Sequence, residues 1–414
     1  MTHVSDAKPD LVILGTGFSA FSLIKEIHVD DYDVIVVSPR NHFLFTPLLP
    51  STTVGTIEFR SIIEPVRTSR PGIRYYQAFC TGIDPDRQIL ACENALDTQK
   101  FTLGYDTLVI AVGSVNNIYG IPGVFEHALF LKELADARAI RQRIIENFER
   151  ASTPNISTED RKRLLHFVVV GGGPTGVELA AEMHDFFGKD VPKWFPHLAD
   201  DVQITLLEAS SRLLSTFDAA LQAYTAKLFR RQRIEVRTEA VVKRVDPTEV
   251  ILEDGSRVSY GLLVWSTGVG PSPFVQSLPF PKTQNSRILV DALLRVKGFT
   301  NIYALGDCAT KEDINLPATS QVAQQEGTYL ARALNRIAEG KRVRPFHYRH
   351  FGMLAYVGSN RALADLAAVK GRGFSAWLFW RSTYLTKLVS WKNKILVVFD
   401  WLKTLLFGRD ISRF

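Results

Sequence analysis

Two stretches of the chain share one pattern of apolar and polar positions. In the first, the apolar run Asp10-Leu-Val-Ile-Leu14 reads as a buried strand, Gly15-Thr-Gly17-Phe-Ser-Ala20 as a tight turn, and the positions through Leu23 and Ile27 as a helix. A second buried strand, Asp33-Val-Ile-Val-Val37, follows. The second stretch repeats this order. A strand Leu165-His-Phe-Val-Val-Val170 leads into Gly171-Gly-Gly-Pro-Thr-Gly176, a helix carrying Val177, Leu179, Ala180 and Met183, and a strand Val202-Gln-Ile-Thr-Leu-Leu207. The pattern predicts two βαβ units of one kind, a repeat of supersecondary structure rather than a short-period array. Further strands ending in glycine are expected at Leu108-Val-Ile-Ala-Val-Gly113, Leu262-Leu-Val-Trp-Ser-Thr-Gly268 and Ile302-Tyr-Ala-Leu-Gly-Asp307. Residues 131–163 read as charged helix, interrupted by the turn-rich residues 152–159, and Pro345 marks a boundary.

The expected fold class is therefore α/β with two Rossmann-like dinucleotide-binding domains. Residues 1–130 with 271–345 form one and 131–270 the other, ahead of a C-terminal region, 346–414. In each Gly-rich turn the first glycine permits the tight exit from the strand, and the second lets backbone approach a pyrophosphate. The helix start then offers free N–H groups and partial positive charge. The third position of the first turn is Ala20, also small. Either fingerprint alone is weak evidence; a strand before and a helix after both copies is the context that confirms them.

The copies differ where specificity is set. The second strand of the second unit ends in Glu208, placed to accept from both ribose hydroxyls of an adenosine and to repel a 2′-phosphate, which favours NADH over NADPH. Residues 185–201 read as a lengthened helix and loop that delays this acid, and Arg212 nearby softens the preference. The first unit ends in Ser38-Pro-Arg40 with no acid. One tightly held flavin and one exchangeable nicotinamide suit such a pair.

Composition adds bounds. With 414 residues, 46% hydrophobic and 22% charged, the chain is globular and long enough for two or three cores. Cys80, Cys92 and Cys308 show no C-x-x-C spacing, which argues against a disulfide scaffold, a metal site and a local redox dithiol; Cys308 reads as packing. Met1 to Pro9 is polar and looks like neither a signal nor a transit peptide. No run reaches the roughly 20 apolar residues that span a bilayer.

Of the net charge of +6, residues 374–414 hold +5, seven Lys or Arg against Asp400 and Asp410. They also hold Trp377, Trp380, Trp391 and Trp401. Trp377, Trp380, Tyr384, Leu388, Trp391 and Ile395 recur at helical spacing, as do Val398, Leu402 and Leu405, with Ser390 to Asn393 separating two helices. Tryptophans at headgroup level among lysines predict attachment to an anionic membrane surface. Several buried rings would contribute roughly 5–10 kcal/mol gross. A helix pair packed in a core or dimer is the alternative; nucleic acid is not expected, because the rest of the chain is not basic.

Taken together, Gly15-Thr-Gly17, Ser38-Pro-Arg40, Phe43-Leu-Phe-Thr-Pro-Leu-Leu-Pro50, Gly171 to Glu178, Thr300 to Asp307, Ser320-Gln-Val-Ala-Gln-Gln-Glu326 and Leu354-Ala-Tyr-Val-Gly358 resemble the type II (alternative, rotenone-insensitive) NADH:quinone oxidoreductases. These are flavoproteins with two glutathione-reductase-like dinucleotide domains. The resemblance covers essentially the whole chain; Ser320 stands where the family often has Ala. It implies FAD, non-covalent, on Gly15 to Ala20 (with Thr16, Phe18 and Ser19), Ser38, Pro39, Arg40, Thr46, Ala111, Gly113, Asp307, Gln321 and Val322. It implies NADH on Gly171, Gly173, Pro174, Thr175, Gly176, Glu178, Glu208, Thr267 and Gly268.

Gln321 and Gln325, one helical turn apart, would face a membrane quinone with Phe45, Leu48 and Tyr356, and Glu178 would influence nicotinamide position or proton supply. Without the resemblance, Glu178 reads as a carboxylate favoured near a helix start, Asp307 as a helix cap and Phe45 as core. The implied protein is a homodimeric peripheral membrane enzyme, on the cytoplasmic face of a bacterial inner membrane or on the mitochondrial inner membrane. Sulfide:quinone oxidoreductases share this layout but need cysteines beside the flavin. Ferredoxin- or rubredoxin-reductase-like enzymes need an acidic-protein docking face, and a nucleotide-binding redox-signalling protein would show little turnover.

Overall fold

The computed structural model describes residues 8–312, 314 and 316–412. Met1 to Ala7 of the polar start and Arg413 of the basic tail lie outside them. The chain divides into two compact units, one of residues 1–43, 64–115 and 269–350, the other of 44–63, 116–268 and 351–414.

The core of the first unit is a parallel sheet in the order Ile302–Ala304, Thr107–Ile110, Asp10–Leu14, Asp33–Val37, Arg74–Tyr76. Leu11, Val12, Ile13, Val34 and Val36 are fully buried, as continuous apolar runs covered on both faces should be. The helices Phe18–Glu26 and Ser320–Ala338 pack on each other beside it. A three-stranded antiparallel insert, Ala78–Asp84, Ile89–Asn94 and Lys100–Gly104, completes the unit.

The second unit repeats this plan strand for strand. Its parallel sheet runs Leu129–Phe130, Leu262–Trp265, His166–Val170, Gln203–Leu207, Ile234–Arg237. Its antiparallel insert is Val242–Val245, Glu249–Leu252 and Arg257–Ser259. The repeat seen in two Gly-rich motifs thus extends through the sheet order and the insert. The expected helical stretch is Leu134–Ala151 and Thr158–Leu164, and the lengthened segment is Pro174–Lys189 followed by two short helical turns.

The C-terminal region holds an antiparallel sheet, Met353–Gly358, Arg361–Asp365 and Lys370–Gly373, then the helices Phe374–Lys387 and Trp391–Phe407. Ser390 caps the second helix through the Asn393 amide. This break changes the reading of the tail. Trp377, Trp380 and Leu388 are buried inside the second unit, while Trp391, Ile395, Val398, Leu402 and Leu405 are exposed. The two helices are separate elements with separate phases, so the single stripe of the sequence becomes a core face followed by a surface face. No helix among the described residues is long and apolar enough to cross a membrane.

Candidate functional site

The two Gly-rich turns have the same construction. Gly15 and Gly171 lie at φ +111° and +115°, a region open to glycine. A Cβ on Gly15 would stand 2.3 Å from the Ala111 carbonyl oxygen, and one on Gly171 2.8 Å from that of Ser266. Each glycine is therefore wedged beneath the loop that leaves the neighbouring strand, the loops of Ala111 to Gly113 and Thr267 to Gly268. Beyond Gly17 and Gly173 there is open space. The helices that follow carry no side-chain N-cap, unlike Ala219–Arg231 and Ser320–Ala338, capped by Asp218 and Thr319. Uncapped donors facing open space are what a pyrophosphate requires, so both turns fit a dinucleotide. Pro174 at the first helical position has no N–H to strand there.

In the first unit Thr16 Oγ lies 3.2 Å from Ser38 Oγ and donates to the carbonyls of Arg40 and His42, tying the turn to the end of the second strand. Burial, with the nearby Arg40 cation, pushes His42 down to about 4, so this segment stays neutral at that ring. Asp307 accepts from Ser114 Oγ at 2.7 Å and sits in the short turn Gly306–Cys308. Glu326 and Arg287, missed by the sequence reading, hold that turn. Glu326 accepts from the Gly306 amide at 2.6 Å, and the Arg287 guanidinium donates to the Asp307 carbonyl at 3.1 Å. Burial raises Glu326 to about 7. Gln321 and Val322 open the helix that carries Glu326. Gln321 accepts from the Tyr348 hydroxyl at 2.9 Å, while Gln325 makes two bonds to the Arg349 backbone, donating at 2.9 Å and accepting at 3.0 Å. The two amides share a helix face, and each is already positioned by the 348–349 segment.

In the second unit Glu208 stands beside the Gly-rich turn, accepting from the Gly172 amide at 2.6 Å and the Ser210 amide at 2.7 Å. Each carboxylate oxygen keeps a lone pair for a ribose hydroxyl. Glu178, one turn into the helix from Pro174, is buried and accepts from the Tyr356 amide at 3.0 Å. Burial lifts it to about 8; the Tyr356 amide and the Trp380 indole only partly offset this. The same helix face carries Glu182 and Asp185, also buried and also missed by the sequence reading. The i, i+4, i+7 spacing of acids on an otherwise apolar face was the available signal. Glu182 accepts from Ser51 and Thr56 hydroxyls, each at 2.7 Å, and Asp185 from the Tyr356 hydroxyl at 2.5 Å. The Tyr356 ring thus points at Asp185 while its backbone serves Glu178. Phe45 and Leu48 are buried, and Phe45 meets the half-buried Tyr384 ring edge-on at 6.1 Å. Thr46 lies beside them, half-buried, in a short 3-10 turn of this unit.

The chain matches the pyridine nucleotide-disulphide oxidoreductase family over residues 9–327 and the NDH2 C-terminal domain over 350–410. It is 49% identical to the "Probable NADH dehydrogenase" of Dictyostelium discoideum over 98% of this chain and 91% of that one. It is 44% identical to the mitochondrial "Internal alternative NAD(P)H-ubiquinone oxidoreductase A1" of Solanum tuberosum, over 99% and 89%. Among solved structures, NDH2 from Plasmodium falciparum in complex with NADH superposes with a TM-score of 0.94 at 29% identity, covering 98% of this chain and all of that one. A sulfide:quinone oxidoreductase from Aquifex aeolicus shares the fold at a TM-score of 0.73 and 17% identity. With its paired dinucleotide folds and its own C-terminal domain, the chain belongs to the pyridine nucleotide-disulphide oxidoreductases and, within them, to the type II NADH dehydrogenases.

Proposed function

We propose that this protein is an FAD-dependent NADH:quinone oxidoreductase that does not pump protons. The observation that carries the reading is the pair of open, uncapped Gly-rich helix starts, only the second of which faces a strand-end carboxylate. Flavin, when bound, accepts hydride and returns two electrons to a quinone. The first unit would hold FAD along Gly15 to Ala20, Ser38 to Arg40, Ala111, Gly113, Asp307 and Val322. The second would hold NADH along Gly171 to Gly176, Thr267 and Gly268, with Glu208 on the ribose.

Glu178, lifted to about 8, carries a proton at neutral pH and is the buried acid suited to supplying one. Gln321 and Gln325 offer neutral amides to quinone carbonyls without placing charge in an apolar channel. Gln325 has one amide hydrogen to spare beyond the bond it donates to Arg349. Phe45, Leu48 and Tyr356 belong to the quinone side of this reading. Cys308 is fully buried, bonds to the Leu305 carbonyl and has no second thiol among its described contacts, which disfavours sulfur chemistry.

The reading includes a homodimer and attachment to an anionic membrane surface. It is supported by the apolar outer face of Trp391–Phe407 and the exposed Phe374, Leu378 and Phe379. The mitochondrial relatives favour a mitochondrial inner membrane.

Detergent-purified, FAD-loaded protein is expected to oxidise NADH slowly alone and rapidly with a short-chain quinone. Flavin bleaching by NADH with no acceleration by any quinone would overturn the assignment while sparing the fold.

A further inference from the structure

The second unit encloses a cavity of about 560 Å³ away from its Gly-rich turn. That is large enough for a small polar group. Three carboxylates line it, Glu182, Asp185 and Asp190, and each is already engaged. Glu182 takes Ser51, Thr56 and Arg409; Asp185 takes Tyr356, Ser359 and Lys189; Asp190 takes Lys193 and Arg409. The cation Arg381 is different. Its guanidinium is clamped between the Trp377 and Trp401 rings, 4.1 and 4.4 Å from their centroids. No hydrogen bond or salt bridge engages it among the described residues and its Nε is buried without a partner, while Glu182, itself held by Ser51, Thr56 and Arg409, attracts it only from beyond salt-bridge distance. A donor fork held by two rings, half-buried and with its Nε out of water, lining a cavity is a geometry that takes an oxyanion.

We infer that this cavity binds the phosphodiester of an anionic phospholipid, with Arg381 as its anchor. The source is set by the rim, where Leu405, Leu406 and Phe407 line the opening and are 80%, 65% and 78% exposed. They offer acyl chains a path that a free phosphate would not use. A choline headgroup gains no aromatic cage here, because the faces that Trp377 and Trp401 turn to the guanidinium are already occupied by it. The inference deepens the membrane reading and rests on it for the delivery of the lipid; its anchor, Arg381, belongs to the helix Phe374–Lys387, while Leu405 and Leu406 of the last helix's apolar face form its rim.

The test uses full-length, FAD-loaded protein in detergent, titrated with dihexanoyl phosphatidylglycerol, dihexanoyl phosphatidylcholine and inorganic phosphate while tryptophan fluorescence is followed. Saturable change with phosphatidylglycerol, at least about tenfold weaker with the other two, is expected, the interval of one charged hydrogen bond. R381Q should weaken that response about tenfold while the protein still pellets with vesicles, and K392Q, on the exposed helix surface, should leave it unchanged. Equal responses to phosphate and phosphatidylglycerol would overturn the lipid assignment. No saturable response of the unsubstituted protein, whether or not R381Q folds, would overturn the site. Loss of pelleting by the unsubstituted protein would defeat the membrane reading instead, since this titration needs no bilayer.

Discussion

At the scale of single residues, the acids of the helix Pro174–Lys189 show how position along one face sets protonation. Asp185 is buried, which alone would raise it, but bonds from His184, Tyr356 and Ser359 and the Lys189 charge bring it down to about 2. Glu178, with a backbone amide and an indole but no cation, goes the other way, to about 8. A carboxyl raised in the folded state from about 4.5 to about 8 keeps its proton over that interval while the unfolded chain loses it. Its contribution to stability is complete below the unfolded value and is lost as pH rises through the folded one. The melting temperature should therefore fall between pH 5 and pH 8.5, and Glu178→Gln should flatten that fall, as differential scanning fluorimetry would read; an unchanged slope would contradict the assignment. Glu208 carries a separate prediction. Glu208→Ala should raise the KM for NADH roughly tenfold to a hundredfold, the scale of lost charge-assisted bonds, with little change in the response to quinone. Since the side chain also holds Gly172 and Ser210, Glu208→Gln is the control that keeps an acceptor there.

At the scale of elements, tight packing appears where a residue type leaves no alternative. A Cβ on Gly327 would stand 2.0 Å from the Ser19 carbonyl, so the helices Phe18–Glu26 and Ser320–Ala338 approach as they do because position 327 is bare. Gly327→Ala should cost about 1–3 kcal/mol or more through overpacking. It should also lower retained flavin, measured as the ratio of flavin to protein absorbance after gel filtration; full retention at an unchanged melting temperature would contradict this. Elements of this kind were legible beforehand where the pattern is local. The strands Asp10–Leu14 and Gln203–Leu207, both Gly-rich turns and the break at Ser390 follow from apolar runs, glycines and a cap. What depends on chain reversal was not. Cys80 and Cys92 have no motif spacing, yet the antiparallel insert sets them directly opposite one another as free thiols sharing a hydrogen bond, which raises Cys80 and lowers Cys92. Likewise Glu326 closes the Ser320-to-Glu326 block without a role of its own until the Gly306 amide arrives from another part of the chain.

At the scale of the whole molecule, the last helix is amphipathic in the inverted sense. The side of Trp391–Phe407 turned to the protein carries Asn393 and Asp400, both buried. Asn393 donates to the Ile63 carbonyl, and Asp400 accepts from the Ser61 hydroxyl at 2.6 Å and the Glu58 amide at 3.0 Å. Lys403 adds a contact to Glu58 at 2.8 Å. The opposite side presents Trp391, Ile395, Phe399, Leu402, Leu405 and Leu406. A helix fastened by its polar residues with its apolar ones outward belongs at a surface other than water. Removing residues 374–414 is a poor test of this, because Trp377, Trp380 and Arg409 are part of the second unit's interior. Replacing Leu402, Leu405 and Leu406 together by Ser leaves those contacts alone and removes roughly 1.5–3 kcal/mol of burial per side chain. The triple variant should keep its fold and its flavin but stay in the supernatant when vesicles are pelleted. The unsubstituted protein should remain largely bound in about 1 M salt, where charge attraction is screened within roughly 3 Å. Release of the unsubstituted protein by salt alone would mean that the lysines, rather than the leucines, hold it to the membrane.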